Sequence, residues 1–154
     1  MPAIETKWLG RVEWEAGAEL LFPVGIPGFE RERRMIPVEI PEQRPLVYLQ
    51  SVSREEVCFM TLPVRAIDAD FRFALSEDDR DALQVEESES LEIGENAMCL
   101  AVLSPAGEQV RTNLRAPIVI NLRNMRCVQS LQGSLGPGMG FYQLGPDGCW
   151  RPSC

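Results

Sequence analysis

The chain has 154 residues, 45% of them hydrophobic and 25% charged, enough for one domain to bury a core without metals or disulfides. Fifteen Lys and Arg against twenty-three Asp and Glu give a net charge of −8, so bare nucleic acid and anionic membrane should repel it. The absence of histidine excludes Ser-His-Asp and Cys-His nucleophiles, His-containing zinc sites and an imidazole base.

Period-two alternation dominates the first half of the chain. Ile4, Thr6 and Trp8 share one side of a predicted strand, and Val12 and Trp14 alternate with Arg11, Glu13 and Glu15 in the next. Gly10 between them predicts a tight hairpin. Further strands are predicted over residues 19–22, 35–40, 46–52 and 57–62, then over 97–103, 109–114, 118–122 and 125–131. The run from Ala97 to Leu103 is apolar on both faces and predicts a central, fully buried strand, ended by Ser104-Pro105-Ala106-Gly107. One helix has a start signal: Ser76 caps residues 77–83, Asp79 follows three residues later, and three acids occupy the first turn. Many short strands and one short helix predict an all-β, mainly antiparallel barrel or sandwich.

From Gln132 to Cys154 the composition changes. Half of the twelve glycines are there, with Pro137, Pro146 and Pro152, so this stretch is expected to be an irregular tail following a domain of residues 1–131. Five cysteines, Cys58, Cys99, Cys127, Cys149 and Cys154, form no Cys-x-x-Cys pair and are expected to be reduced thiols. Cys58 and Cys99 lie in apolar runs, where cysteine serves as a small core hydrophobe. The amino terminus carries no secretory pattern and no apolar run reaches bilayer length, so a soluble, cytoplasmic protein is expected.

Charge is concentrated in the middle of the chain. Residues 61–95 hold eleven acids against three bases, a net −8 equal to that of the whole protein. Asp68, Asp70, Glu77 and Asp78 fall in this segment. Paired carboxylates can cleave glycosides or hold a cation, but acids clustered at a helix start are more often a solvated, capping face. The spacing does not match a calcium loop. No metal or cofactor is expected.

The stretch Phe22-Pro23-Val24-Gly25-Ile26-Pro27-Gly28-Phe29-Glu30 lacks the Lys-Ser/Thr ending of a phosphate loop, and its two prolines remove backbone donors. It predicts a rigid double turn. Pro23 and Pro27 fix φ, Gly25 and Gly28 can take positive φ, and Ile26 and Phe29 are apolar tips. Asn113 to Asn121 predicts a turn feeding a buried strand through Ala116-Pro117, with an asparagine at each end.

Together these stretches resemble the bacterial flagellar assembly factor FliW family. The landmarks are Ile4 to Gly10, Phe22 to Glu30, Leu49-Gln50-Ser51-Val52, Leu75-Ser76-Glu77-Asp78-Asp79 and Asn113 to Asn121, in the family's order over residues 3–131. The resemblance implies a pseudo-barrel of antiparallel strands with a small helical cap. It also implies a non-enzymatic protein that binds either flagellin or the RNA-binding translational repressor CsrA, coupling flagellin translation to export. Members end soon after the last core strand, whereas this chain continues from Gly133 to beyond Trp150, so no carboxy-terminal partner contact is carried over.

The partner contacts expected from the residues are the acids Asp68, Asp70, Glu77 and Asp78 and the loop tips Ile26 and Phe29. Structural duties are expected of Pro23, Gly25, Pro27, Gly28, Gln50, Asn113, Ala116, Pro117 and Asn121. Direct nucleic-acid or membrane binding is not expected. Two other classes compete: a small-ligand barrel, which would need an apolar interior cavity, and a hydrolase using Asp68, Asp70 and Asp78.

Overall fold

Alternating apolar residues place most of the strands close to where the sequence puts them. In the computed structural model, which describes residues 1–133, 135 and 139–153, β1 (Ala3–Glu5) and β2 (Arg11–Glu13) form a separate antiparallel pair. Their connection is a five-residue loop, not a tight turn. Thr6 closes it by giving both its backbone N–H and its hydroxyl to the Gly10 carbonyl, at 2.8 and 2.7 Å.

Seven strands then close a barrel. β3 (Leu20–Leu21), β4 (Arg34–Val38), β5 (Val47–Ser51), β6 (Cys58–Pro63) and β7 (Ala97–Ala106) pair antiparallel in succession. After β8 (Gln109–Asn113), β9 (Ile118–Asn121) returns beside β7, and β10 (Arg126–Gln129) pairs with β9. Closure is a single parallel register, Arg126 opposite Leu21. The solved fold is thus a mainly antiparallel β-barrel with one short helix, as expected.

β7 does more than the predicted buried strand. Residues 97–100 face β9, residues 103–106 face β8, and residues 100–102 also pair with β6. It does not stop at Ser104. Pro105 lies beyond the last residue paired with β6, so its missing N–H removes no ladder bond on that side, and the turn comes at Gly107, with φ +67°. Nor is the strand buried throughout: Met98 is 37% exposed at the barrel mouth.

The core has two halves that follow from strand alternation. Leu20, Phe22, Met35, Leu49, Leu100 and Ile118 fill the barrel interior. Cys99, Ala101, Val119 and Val128 point outward and are covered by Val64, Phe71, Leu83 and Leu91. Strand β9 and the Cys99–Ala101 stretch of β7 are therefore buried on both faces. Side chains fill the interior around Phe22, Met35 and Leu49, and the apolar space beside Leu20 and Leu100 opens outward as a groove.

The stretch 132–154 is the clearest departure from expectation. β11 (Phe141–Leu144) adds to the outer edge of β8, and β12 (Trp150–Pro152) pairs with β11. Glycine and proline do not prevent this: Gly145, Pro146 and Gly148 lie in the connection between the two strands, and Pro152 is taken up in β12, which pairs on one side only. Gly145 N–H donates to the Cys149 carbonyl at 2.8 Å, Gly148 takes φ +81°, and the Phe-Tyr-Gln-Leu run between turns is free to pair. Pro137 and Cys154 lie outside the described residues.

Candidate functional site

The acidic cap is built on α1 (Glu77–Leu83), whose bounds match the sequence prediction. The Ser76 hydroxyl accepts the Asp79 N–H at 3.1 Å, and Gln84 ends the helix at φ 54°. Its last carbonyls are bonded by side chains from the β9–β10 turn. Asn121 and Asn124 both donate to the Leu83 carbonyl at 3.0 Å, and Arg126 donates to the Ala82 carbonyl at 2.8 Å. At the other end the Ser130 hydroxyl donates to Asp79 at 2.7 Å. The Gln132 amide both donates to and accepts from Ala74, pinning the approach to the helix. A seven-residue helix that would not persist alone is thus fixed to the barrel wall.

Glu77 and Asp78 are exposed on this helix, whereas Asp70, exposed, and Asp68, half-buried, lie in the loop that precedes it. Asp68 accepts the Asp70 N–H at 3.0 Å, a local turn contact. Among the described residues, no three His, Cys, Asp or Glu side chains group as metal ligands would. The arrangement is a charged surface resting on a rigid element.

The loop from Phe22 to Arg33 divides its two apolar tips. Ile26 is 4% exposed and belongs to the barrel core, so it offers nothing to a partner. Phe29 is 39% exposed and meets Phe59 edge-on, with ring centroids 5.0 Å apart. Gly25 and Gly28 take φ of +70° and +86°, as the double turn requires. Pro23 serves through its carbonyl, which accepts from Arg33; Pro27 is exposed in the turn.

The other motif positions are structural. Gln50 is fully buried, and its amide N–H group donates to the carbonyls of Ser51, Arg54 and Glu55. Asn113 accepts from the Arg115 N–H at 2.9 Å, the Ala116 carbonyl accepts from Gln129 at 3.0 Å, and the Pro117 carbonyl accepts from Ser130 at 2.8 Å. Asn121 holds the helix end, as described.

Two features had no signal in the sequence that reveals them. An apolar groove of about 350 Å³ opens between Pro37, Val47, Met98, Ile120, Leu122 and Met125, assembled from residues far apart in the chain. Glu32, inside the charged run Glu30 to Arg34, is buried at 2% exposure. A run of that composition ordinarily signals solvent.

Burial pushes the Cys58 thiol up to about 11 and the Cys99 thiol up to about 12, and raises Cys127 as well. Cys149 is exposed. Alkylation of the native protein at pH 8, mapped by mass spectrometry, should label Cys149 and spare Cys99 and Cys127. The raised thiols also fix a sign. Below about 9 both states are protonated; above it the unfolded thiols ionise first, so stability should fall between pH 9 and about 12.

The FliW protein family model matches residues 3–135, the barrel and its helical cap. The chain belongs to the FliW family. It is 32% identical over 126 residues to the flagellar assembly factor FliW of Bacillus licheniformis, covering 82% of this chain and 85% of that protein. The FliW proteins of Bacillus subtilis and Caldanaerobacter subterraneus are 29% and 30% identical over similar spans. A crystal structure of a flagellar assembly factor FliW superposes with a TM-score of 0.73 at 26% identity, covering 87% of this chain and 91% of the other. The β11–β12 hairpin lies beyond the family match. No described helix is long and apolar enough to cross a membrane.

Proposed function

We propose that this FliW-family chain acts without catalysis, binding flagellin in one state and the RNA-binding repressor CsrA in another. Family membership over residues 3–135 carries this reading. Flagellin held by the chain leaves the repressor free on its RNA; flagellin export frees the chain to capture the repressor. The physical support is the charge distribution. A basic RNA-binding protein gains affinity for RNA from phosphate attraction, and a carboxylate-rich neighbour both attracts that protein and repels its RNA.

Asp68, Asp70, Glu77 and Asp78 are the contacts proposed for the repressor. The apolar groove of Met98 and Leu122 suits one face of an amphipathic flagellin helix, with Phe29 a second apolar contact. Steering of this kind acts on the association rate and is screened beyond about 8 Å at physiological salt. Replacing the four acids by Asn or Gln should therefore slow repressor association about tenfold at low salt and flatten its salt dependence. Flagellin association should change less. Equal repressor rates for wild type and variant would leave these acids only a solubility and capping role.

A further inference from the structure

The carboxy-terminal hairpin does more than lengthen the sheet. Beyond the closed barrel β7, β8 and β11 continue side by side, and their registers set side chains of one face in rows. Phe141 stands opposite Asn113, and the β7–β8 register carried one position further sets Val102 in line with them. In the next row Ser104 stands opposite Arg111, and Arg111 opposite Gln143. The first row is apolar at both ends and the second is polar. Same-face positions along a strand are about 7 Å apart, which is the separation of the two rows.

A groove of about 360 Å³ lies on this face, lined by Val102, Ser104, Arg111 and Asn113, by Ala116 of the barrel, and by Phe141, which is 37% exposed. Among the described residues no acid lines it, in a chain whose net charge is −8. Its donors are uncommitted as well. Among the described residues no ion pair includes Arg111, and neither its guanidinium nor the Ser104 hydroxyl has a hydrogen-bond partner. Asn113 accepts the Arg115 N–H through its side-chain oxygen at 2.9 Å, which leaves its amide N–H group to donate. Arg151, next in the polar row after Gln143, is held by Asp147 at 2.6 Å. Arg111 is thus the cation left to a ligand.

We propose that this groove binds an extended segment of an acidic partner protein, with a carboxylate on Arg111 and an apolar side chain two residues away against Val102 and Phe141. An extended segment laid along the strands carries same-face side chains about 7 Å apart, so its period fits the two rows. The guanidinium meets a carboxylate through two parallel N–H donors, and Ser104 and Asn113 add neutral donors beside it. A basic repressor is the wrong charge for this site, so the proposal adds a contact to the reading above and does not rest on it. Phe141 lies outside the family match of residues 3–135, so the hairpin supplies this wall of the groove.

The test is an NMR titration of the full chain with acetyl-Leu-Ser-Asp-Ser-Leu-amide, whose acid has a leucine two residues away on each side. Saturable shifts are expected at the Arg111 Nε–H, the Asn113 side-chain amide and the Phe141 ring. Asn in place of the central Asp should weaken binding roughly fivefold, the upper range for an exposed charge pair, and Lys should weaken it more. The isomer acetyl-Ser-Leu-Asp-Leu-Ser-amide, with its leucines on the opposite face from the acid, should bind several-fold more weakly. Arg111→Glu should turn the preference over to the lysine peptide while the melting temperature stays unchanged. Phe141→Ser should weaken every peptide, and Phe141→Leu, which keeps an apolar wall, should retain most of the binding. The absence of saturable shifts overturns the proposal, as does equal binding of the Asp, Asn and Lys peptides or of the two isomers. So do shifts that acetate alone reproduces, as for a small-anion site, or that grow with protein concentration without peptide, as for a second copy in the groove. Failure here leaves the repressor reading standing, because that reading concerns other residues.

Discussion

Gly25→Val is expected to destabilise the protein by about 3–5 kcal/mol, against about 1–3 kcal/mol for Gly28→Val. Both glycines hold positive φ, +70° and +86°, which a β-branched residue resists, so both substitutions carry that strain. Space separates them. A Cβ on Gly25 would lie 2.5 Å from Glu30 Cα and 2.8 Å from its carbonyl oxygen, backbone atoms that cannot turn aside. At Gly28 nothing lies within 4 Å. Relieving the clash means moving the Glu30 backbone, and with it the turn that presents Phe29 and Glu32. Thermal melts should place Gly25→Val roughly 10 °C or more below wild type, at about 2–4 °C per kcal/mol for a chain of this size. Equal losses at the two sites would mean that the loop yields more easily than its packing implies.

Phe22→Ala is expected to cost about 3–5 kcal/mol. Phe22 is fully buried in the barrel and is also the root of the same loop. Its N–H donates to the Arg33 carbonyl at 2.7 Å, and its carbonyl accepts from Gly25 at 3.0 Å. Deleting the ring opens a cavity among Leu20, Met35 and Leu49 and loosens both ends of the loop. Partner binding through Phe29 should weaken along with stability. The two substitutions share neighbours, so the double variant should lose less than the sum of the singles in denaturant titration. Strict additivity would mean that the loop and the barrel core respond separately.

Local chemistry made α1 legible: a serine cap, acids in the first turn and an apolar residue at its end are all read within eight positions. The strands of the first half were legible because one face is wet, so alternation survives in the sequence. Closure was not, because the β3–β10 register rests on one residue pair, Arg126 with Leu21, more than a hundred positions apart. Pro105 misled because a proline usually ends a strand, and only tertiary placement shows that its side of β7 has no partner there. The carboxy-terminal hairpin was hidden by composition. Its glycines and prolines dominate the average, while the pairing residues are a short run whose partner, β8, is distant in sequence. Of the loop tips, Ile26 and Phe29 look alike as residues, and only the turn between them sends one inward. Glu32 was invisible because nothing in a charged run marks which acid is buried.

The most direct test of a non-catalytic partner switch follows labelled target RNA bound to purified CsrA by fluorescence anisotropy. Adding the full chain in molar excess should release the RNA, and adding flagellin afterwards should restore the bound signal, with no metal or nucleotide present. RNA that stays bound in the presence of excess chain, or release that flagellin does not reverse, would contradict the account.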